Sequence, residues 1–321
     1  MGGFRPLAMT VLAGGLMATA AQAIDQRSTT LNQNVIGLLA AEIQWMPDAL
    51  EIADALQHED GLRVVPMTGI GAVQAVADLA FLQSVDAAIL PVDVVSYAKL
   101  QGLATGLDGK LTYVARIADI EFVLVARRSI KNITGLAGKR IATGPAQSAG
   151  FASGELLLGA LEVPFLRVPR QGAAALQVLS RGQADAALVT TADLEDAKLD
   201  RALFHVLPLP IPAGLDGTYA PAILTVDEVP TLLSAKETVD TVSTSLALAV
   251  FNWPKRSEHY GKLRRFSSAL FAASNDISGG GKPTNLSALI PGWQRHDAAV
   301  EALARSKNPT TETPLQQGDG Q

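Results

Sequence analysis

Ser148 stands in Gly144-Pro145-Ala146-Gln147-Ser148-Ala149-Gly150, a run of small residues. Before it lies an apolar strand pattern, Arg140 to Thr143, and after it an apolar helical pattern from about Phe151 to Leu161. Two chemistries use such an arrangement. A hydroxyl beside the unpaired amides of a helix start can bind an anion or polar group, with Gly and Ala letting the guest approach the backbone. Alternatively, the serine is a nucleophile on a strand-to-helix elbow, since Ala146-Gln147-Ser148-Ala149-Gly150 differs from G-x-S-x-G at one residue. A hydrolase would also need an acid and a histidine downstream. His259 and His296 could be named, but no HGGG-like oxyanion segment precedes Ser148 and His259 lies among Lys255, Arg256 and Glu258. The plain structural alternative is an N-cap serine.

Other side chains could join a polar site. Thr68 and Gly69 end one strand pattern, and Thr190 and Thr191 end another, so each pair can offer hydroxyls or amides. Gln44 and Trp45 follow the first strand pattern, where the indole could stack on a guest. Gln147 and Ala149 flank the serine. Arg116, Arg167 and Arg170 could pair a carboxylate through the guanidinium fork. Asp93 and Asp193 follow matching strands and read as helix caps. His58, His205, His259 and His296 are dispersed, with neither HExxH nor i,i+4 pairing, so no metal site is expected. The chain has no cysteine, which excludes disulfides, thiolate metal sites and cysteine nucleophiles. No cofactor is called for.

The elements that would carry these residues alternate strand and helix. Gly71-Ala72 opens a helix to about Leu82, and Asp86-Ala87-Ala88-Ile89-Leu90 follows as a buried strand ending near Asp93. The unit recurs: Gly172-Ala173 opens a helix to Arg181, and Asp185-Ala186-Ala187-Leu188-Val189 ends near Asp193. This repeat predicts two similar α/β lobes. Leu111 to Ile117 and Glu121 to Ala126 read as two strands, the second crossing between lobes. Thr218 to Val226 and Thr241 to Val250 read as strands, and Ser257 to Phe271 as a helix. In open α/β sheets ligands sit at strand carboxyl ends, so two facing lobes make a cleft.

Across 321 residues, 48% are hydrophobic and 18% charged, which suits a globular chain. The balance of 26 basic and 31 acidic residues, −5 overall, carries no basic run for nucleic acid. Residues 1–23 combine Arg5, an apolar stretch and Ala21-Gln22-Ala23, the pattern of a signal peptide cleaved after Ala23.

Leu136-Ala-Gly-Lys-Arg-Ile-Ala-Thr-Gly-Pro, then Ser148, then Gly182-Gln-Ala-Asp-Ala-Ala, resembles the type II periplasmic solute-binding proteins, most closely the TAXI family serving TRAP transporters. Pro291-Gly292-Trp293-Gln294-Arg295 adds to the resemblance. It implies an α/β fold of two similar lobes, each a mainly parallel sheet flanked by helices, with a hinge and ligand cleft between them. It also implies a non-enzymatic, monomeric receptor in the periplasm that delivers a ligand to membrane permease subunits. Where the family often has Gly-Ser-Gly-Thr, this chain has Gln147-Ser148-Ala149-Gly150, so only the Ser148 hydroxyl carries over. The divisions expected are residues 24–121 with 214–306 for lobe one, 122–213 for lobe two, and a disordered tail at 307–321. The expected guest is a small organic anion or zwitterion held by Gln44, Trp45, Thr68, Gly69, Gln147, Ser148, Ala149, Thr190 and Thr191, with bending near 120–122 and 210–213. An ABC importer receptor is the alternative, and a secreted hydrolase using Ser148 the alternative of a different class.

Overall fold

A computed structural model describes residues 34–57, 61–103, 106–107, 109–279, 282–283 and 285–307. The leader, His58 and all but the first residue of the expected tail lie outside the described residues. The elements follow from local sequence. Strand β1, Val35–Ala40, is a continuous apolar run buried from Ile36 onward, as a strand covered on both faces requires. A short 3-10 turn, Ile43–Trp45, leads into helix α1, Met46–Leu56, which has a proline in its first turn and Asp48 where the helix dipole favours an acid. Then come β2 Arg63–Thr68, α2 Ala72–Phe81, β3 Ala87–Pro91 and α3 Val92–Leu100.

The strands read as two form one element: β4 runs unbroken for 17 residues from Leu111 to Arg127. It leads into β5 Arg140–Ala142, α4 Ala149–Ala160, β6 Leu166–Val168, α5 Gly172–Ser180, β7 Ala186–Thr190 and β8 Phe204–Leu207. The chain then makes β9 Ala220–Leu224, β10 Val239–Phe251, α6 Glu258–Ala272 and α7 Asp297–Lys307. A small antiparallel pairing joins β11 Ser278–Gly279 to β12 Lys282–Pro283.

Strand order shows the two lobes. In one, β2-β1-β3 are parallel neighbours and β10 lies antiparallel between β3 and β4. In the other, β6-β5-β7 are parallel neighbours, and the far half of β4 lies antiparallel between β7 and β8. The orders superimpose as β2-β1-β3-β10-β4 on β6-β5-β7-β4-β8. This is a two-lobed α/β arrangement, each lobe a mainly parallel sheet flanked by helices. The segment after β9 is not wholly in the first lobe: Leu224, Val229, Leu232 and Leu233 share a core with Val123 and Val206 of the second. The reason is β10, whose first residues pair β9 before the strand reaches β3 at Leu246.

The aspartates of the repeat serve the same purpose in each lobe. Asp86 Oδ2 accepts from Gly37 N at 2.8 Å, and Asp86 N donates to Gly37 O at 2.9 Å. Asp185 Oδ2 accepts from Arg140 N at 3.0 Å, and Asp185 N donates to Arg140 O at 2.7 Å. Each aspartate locks the start of a lobe's third strand to its first strand, and each has a cation: Lys262 Nζ at 2.6 Å for Asp86, the Arg140 guanidinium at 2.8 Å for Asp185. The hydrogen bond from Arg140, more than any other cause, holds the Asp185 carboxyl below the usual aspartate range.

Gly37 must be glycine because a Cβ there would lie 1.7 Å from the Ser84 carbonyl oxygen. Backbone cannot yield as a side-chain tip would, so Gly37→Ala should cost about 3 kcal/mol, the upper end for overpacking. The expected result is a lowered urea midpoint with unchanged slope. An unchanged midpoint would show that the Ser84 loop moves freely.

Candidate functional site

The two lobes face each other across the ends of β1, β3, β5 and β7. A cavity of about 310 Å³ lies there, lined from one side by Gln44, Trp45 and Asp48, from the other by Ala149, Gln171 and Thr190 to Asp193. Its floor is the crossing stretch of β4, Ala118 to Phe122. Gln44, Trp45, Ala149, Thr190 and Thr191 of the nine expected positions therefore meet at one cavity. Thr68, Gly69, Gln147 and Ser148 do not line it.

Those four are engaged elsewhere. Gly69 N donates to Ala40 O at 2.7 Å, finishing the β1–β2 edge beside Thr68. Gln147 has a left-handed backbone, φ 73°, and its carbonyl accepts from Val73 N of α2 at 3.0 Å. That contact passes over Gly71, where a Cβ would come within 2.8 Å of the Gln147 oxygen. Ser148 is the N-cap of α4: its hydroxyl accepts from Phe151 N at 3.1 Å and donates to Pro145 O at 2.7 Å. Its single proton is committed to a carbonyl, and neither named histidine bonds it. His259 stacks on Trp253 with centroids 4.1 Å apart. His296 is buried, its pKa pushed down by desolvation, and Nδ1 accepts from Ala298 N at 3.1 Å.

Contacts between lobes surround the cavity. Helix α4 packs on α3, with Tyr97 and Phe151 edge to face at 5.8 Å. Asp93 was expected to cap α3, but Pro91 is the N-cap and Asp93 sits in the first turn with no exposed surface. Its Oδ2 accepts from Ser153 Oγ of α4 at 2.6 Å and from the Tyr219 hydroxyl at 3.0 Å. Burial pushes the Asp93 pKa up to about 6 and holds the Tyr219 phenol well above its ordinary range. Asp193 does serve a helix start, in a capping box in which it accepts from Thr190 N at 2.9 Å and from Thr190 Oγ1 at 2.8 Å.

The residue the sequence did not single out is Glu42, 7% exposed, just after β1. Its Oε1 accepts from Ala149 N, the first residue of α4, at 2.5 Å, and its Oε2 accepts from Gln171 Nε2 at 3.0 Å. Desolvation raises its pKa, while hydrogen bonds from Ala149, Gln171, Ala72 and Gln44 act the other way. Only a buried carboxylate's need for donors could have flagged it, and its partners lie 107 and 129 residues away. None of the arginines proposed for an anion lines the cavity. Arg116 pairs with Asp119, Arg167 pairs with Glu155 and lies 4.2 Å over the Phe151 ring, and Arg170 bonds the Pro169 carbonyl. Trp293 packs on the first lobe, its Nε1 donating to Leu111 O at 2.9 Å.

Fold and site together define a two-lobed α/β protein with an acid-rimmed cavity between its lobes. No family model and no curated protein matches the chain. Among solved structures it is similar to the periplasmic VFT2 domain of Bordetella pertussis BvgS, at 15% identity and TM-score 0.44, over 79% of this chain and 94% of that one. It is also similar to XAC2383 from Xanthomonas citri bound to ATP, at 13% identity and TM-score 0.46, over 77% and 89%. A third is holo ArgBP from T. maritima, at 13% identity and TM-score 0.43, over 76% and 92%.

Two predictions follow from these contacts. An aspartate whose folded pKa lies above its unfolded value near 3.9 stays protonated after the unfolded chain has ionised, so stability falls as pH rises from about 4 to about 6 and then levels. The Asp93 contribution to that fall is about 3 kcal/mol by linkage, and Asp93→Asn should flatten it in denaturant titrations across this range. The same decline in the variant would mean that other groups cause it. Ser148→Ala should cost about 1 kcal/mol of stability through loss of the cap, with guest affinity unchanged by calorimetry. A large affinity loss at intact stability would return the hydroxyl to the site.

Proposed function

We propose that the protein is an exported receptor that holds a small organic cation, or a zwitterion by its ammonium end, and passes it to a membrane permease. The carrying observation is the charge of the cavity lining. Asp48, Asp119, Glu121, Asp193 and Glu195 line it, and among the described residues no Lys, Arg or His does. Arg116 offsets Asp119, but among the described residues no Lys, Arg or His pairs with Asp193 or Glu195, and these two leave the rim a negative excess that concentrates cations and repels anions. The anion favoured by helix-end potential in the sequence meets that rim before it reaches any amide.

Exposed Gln44, Asp119 and Glu195 leave the cavity open to solvent, so a guest has an entry path. Trp45 adds an aromatic wall, which suits an ammonium group. The signal-peptide pattern of residues 1–23 supports export to the periplasm, and the TAXI resemblance supports a TRAP-type permease as acceptor, with an ABC permease as the alternative. The committed proton of Ser148 argues against hydrolysis.

A thermal-shift screen with matched pairs of ligands tests the reading. Amines and amino acids of a given skeleton should raise Tm, while the corresponding carboxylates without an ammonium group should not. Glu195→Gln should weaken the best amine up to about fivefold, as an exposed charge pair would, and added salt should weaken it further. Stabilisation by the carboxylates alone would overturn the assignment.

A further inference from the structure

Two helix starts from different lobes turn toward one point: Ala72 begins α2 and Ala149 begins α4. Both backbone amides bear on the Glu42 carboxylate, and Gln171, the residue before α5, adds a side-chain donor. An anionic guest closing these lobes would need the same donors. The chain supplies that anion itself, on the short connection after β1. Around it the lobes are already tied by Val73 N to Gln147 O and by Ser153 to Asp93.

We propose that Glu42 is a built-in ligand: its carboxylate occupies the anion position between the two lobes, keeps them closed without a guest, and bars other carboxylates from that position. This goes beyond the reading of the acidic cavity and does not depend on it, since Glu42 lies buried beneath the rim whether or not a cation binds there. A free carboxylate can take the Ala149 amide and the Gln171 donor only if Glu42 leaves, which requires stripping the buried group of its donors. Glu42 thus decides which charge class the cleft refuses.

Removing the side chain while leaving its donors tests this. In Glu42→Ala, formate and acetate should restore the lost Tm saturably, beyond chloride at equal ionic strength, and should reduce the radius of gyration toward that of the parent protein. In the parent, the same salts should do no more than chloride. Adding Gln171→Ala to the variant should weaken the rescue by removing one donor. A parallel measurement needs no variant: parent protein unfolded, dialysed and refolded free of small molecules should scatter X-rays as the closed form and stay unchanged in acetate. The proposal fails if refolded parent protein is open and compacts with carboxylates. It fails equally if Glu42→Ala is as compact and stable as the parent, or if carboxylates act on both alike. Amine binding in the acidic cavity is scored separately, so either reading can fall while the other stands.

Discussion

A carboxylate buried between two lobes must find donors there, and Glu42, carried by the first lobe, takes its donors Ala149 and Gln171 from the second. Leaving an ionised group dry and unpaired costs several kcal/mol, more than most single contacts return. The arrangement around it follows. The 3-10 turn of Ile43–Trp45 swings the chain aside so that Glu42 points across the gap, with Trp45 N bonded to Glu42 O at 3.1 Å. Helix α4 has to present its first amide, that of Ala149, there, while Ser148 caps the amide of Phe151. The small residues of the Ser148 loop accommodate this contact. Gly150 and Gly154 let α4 lie against Thr143, where a Cβ would come within 2.4 Å and 2.7 Å respectively.

The sheet limits how the lobes can part. At about 3.3 Å per residue, β4 is roughly 56 Å long, too long for one lobe's sheet, and it pairs β10 in one lobe and β7 with β8 in the other. Its register with β10 shifts twice, between Leu246 and Ala247 and between Leu248 and Ala249. Such irregularities bend and twist a ladder without breaking it. The two shifts leave Ile117 and Val114 of β4 as the extra residues, so the ladder bends just before the crossing stretch, while Glu42, Asp93 and the α3–α4 packing tie the lobes on the cavity side.

Much of this was legible in residue pattern. The Asp-Ala-Ala repeat marked two equivalent strands because the same backbone lock is used twice, and a side chain that bonds a neighbouring strand's amide leaves a fixed position in sequence. Apolar runs fixed β3, β7 and β10 for the same reason that any strand covered on both faces must be apolar. Short edge strands such as β6, with Leu166 exposed and its neighbours half-buried, leave no such run and were missed. At the site, the strand–loop–helix pattern around Ser148 could not separate a cap from a ligand contact, because both need the same hydroxyl at the same place. Glu42 was invisible for a different reason: its meaning comes entirely from donors more than a hundred residues away.

The two buried acids between the lobes are not equivalent, and their donors explain why. Asp93 meets hydroxyls from Ser153 and Tyr219 on one oxygen, while its Oδ1 has no hydrogen-bond partner. With one oxygen unpartnered, burial dominates and pushes the pKa up to about 6. Burial is the largest influence on Glu42 as well and raises its pKa, but the Ala149 amide on one oxygen and the Gln171 amide on the other act against it. Both of its oxygens therefore have a donor, and the group already fills the place an incoming carboxylate would take. An anion approaching the cleft is opposed first by the rim and then by the group already bound to the amides it would need, whereas a cation is opposed by neither.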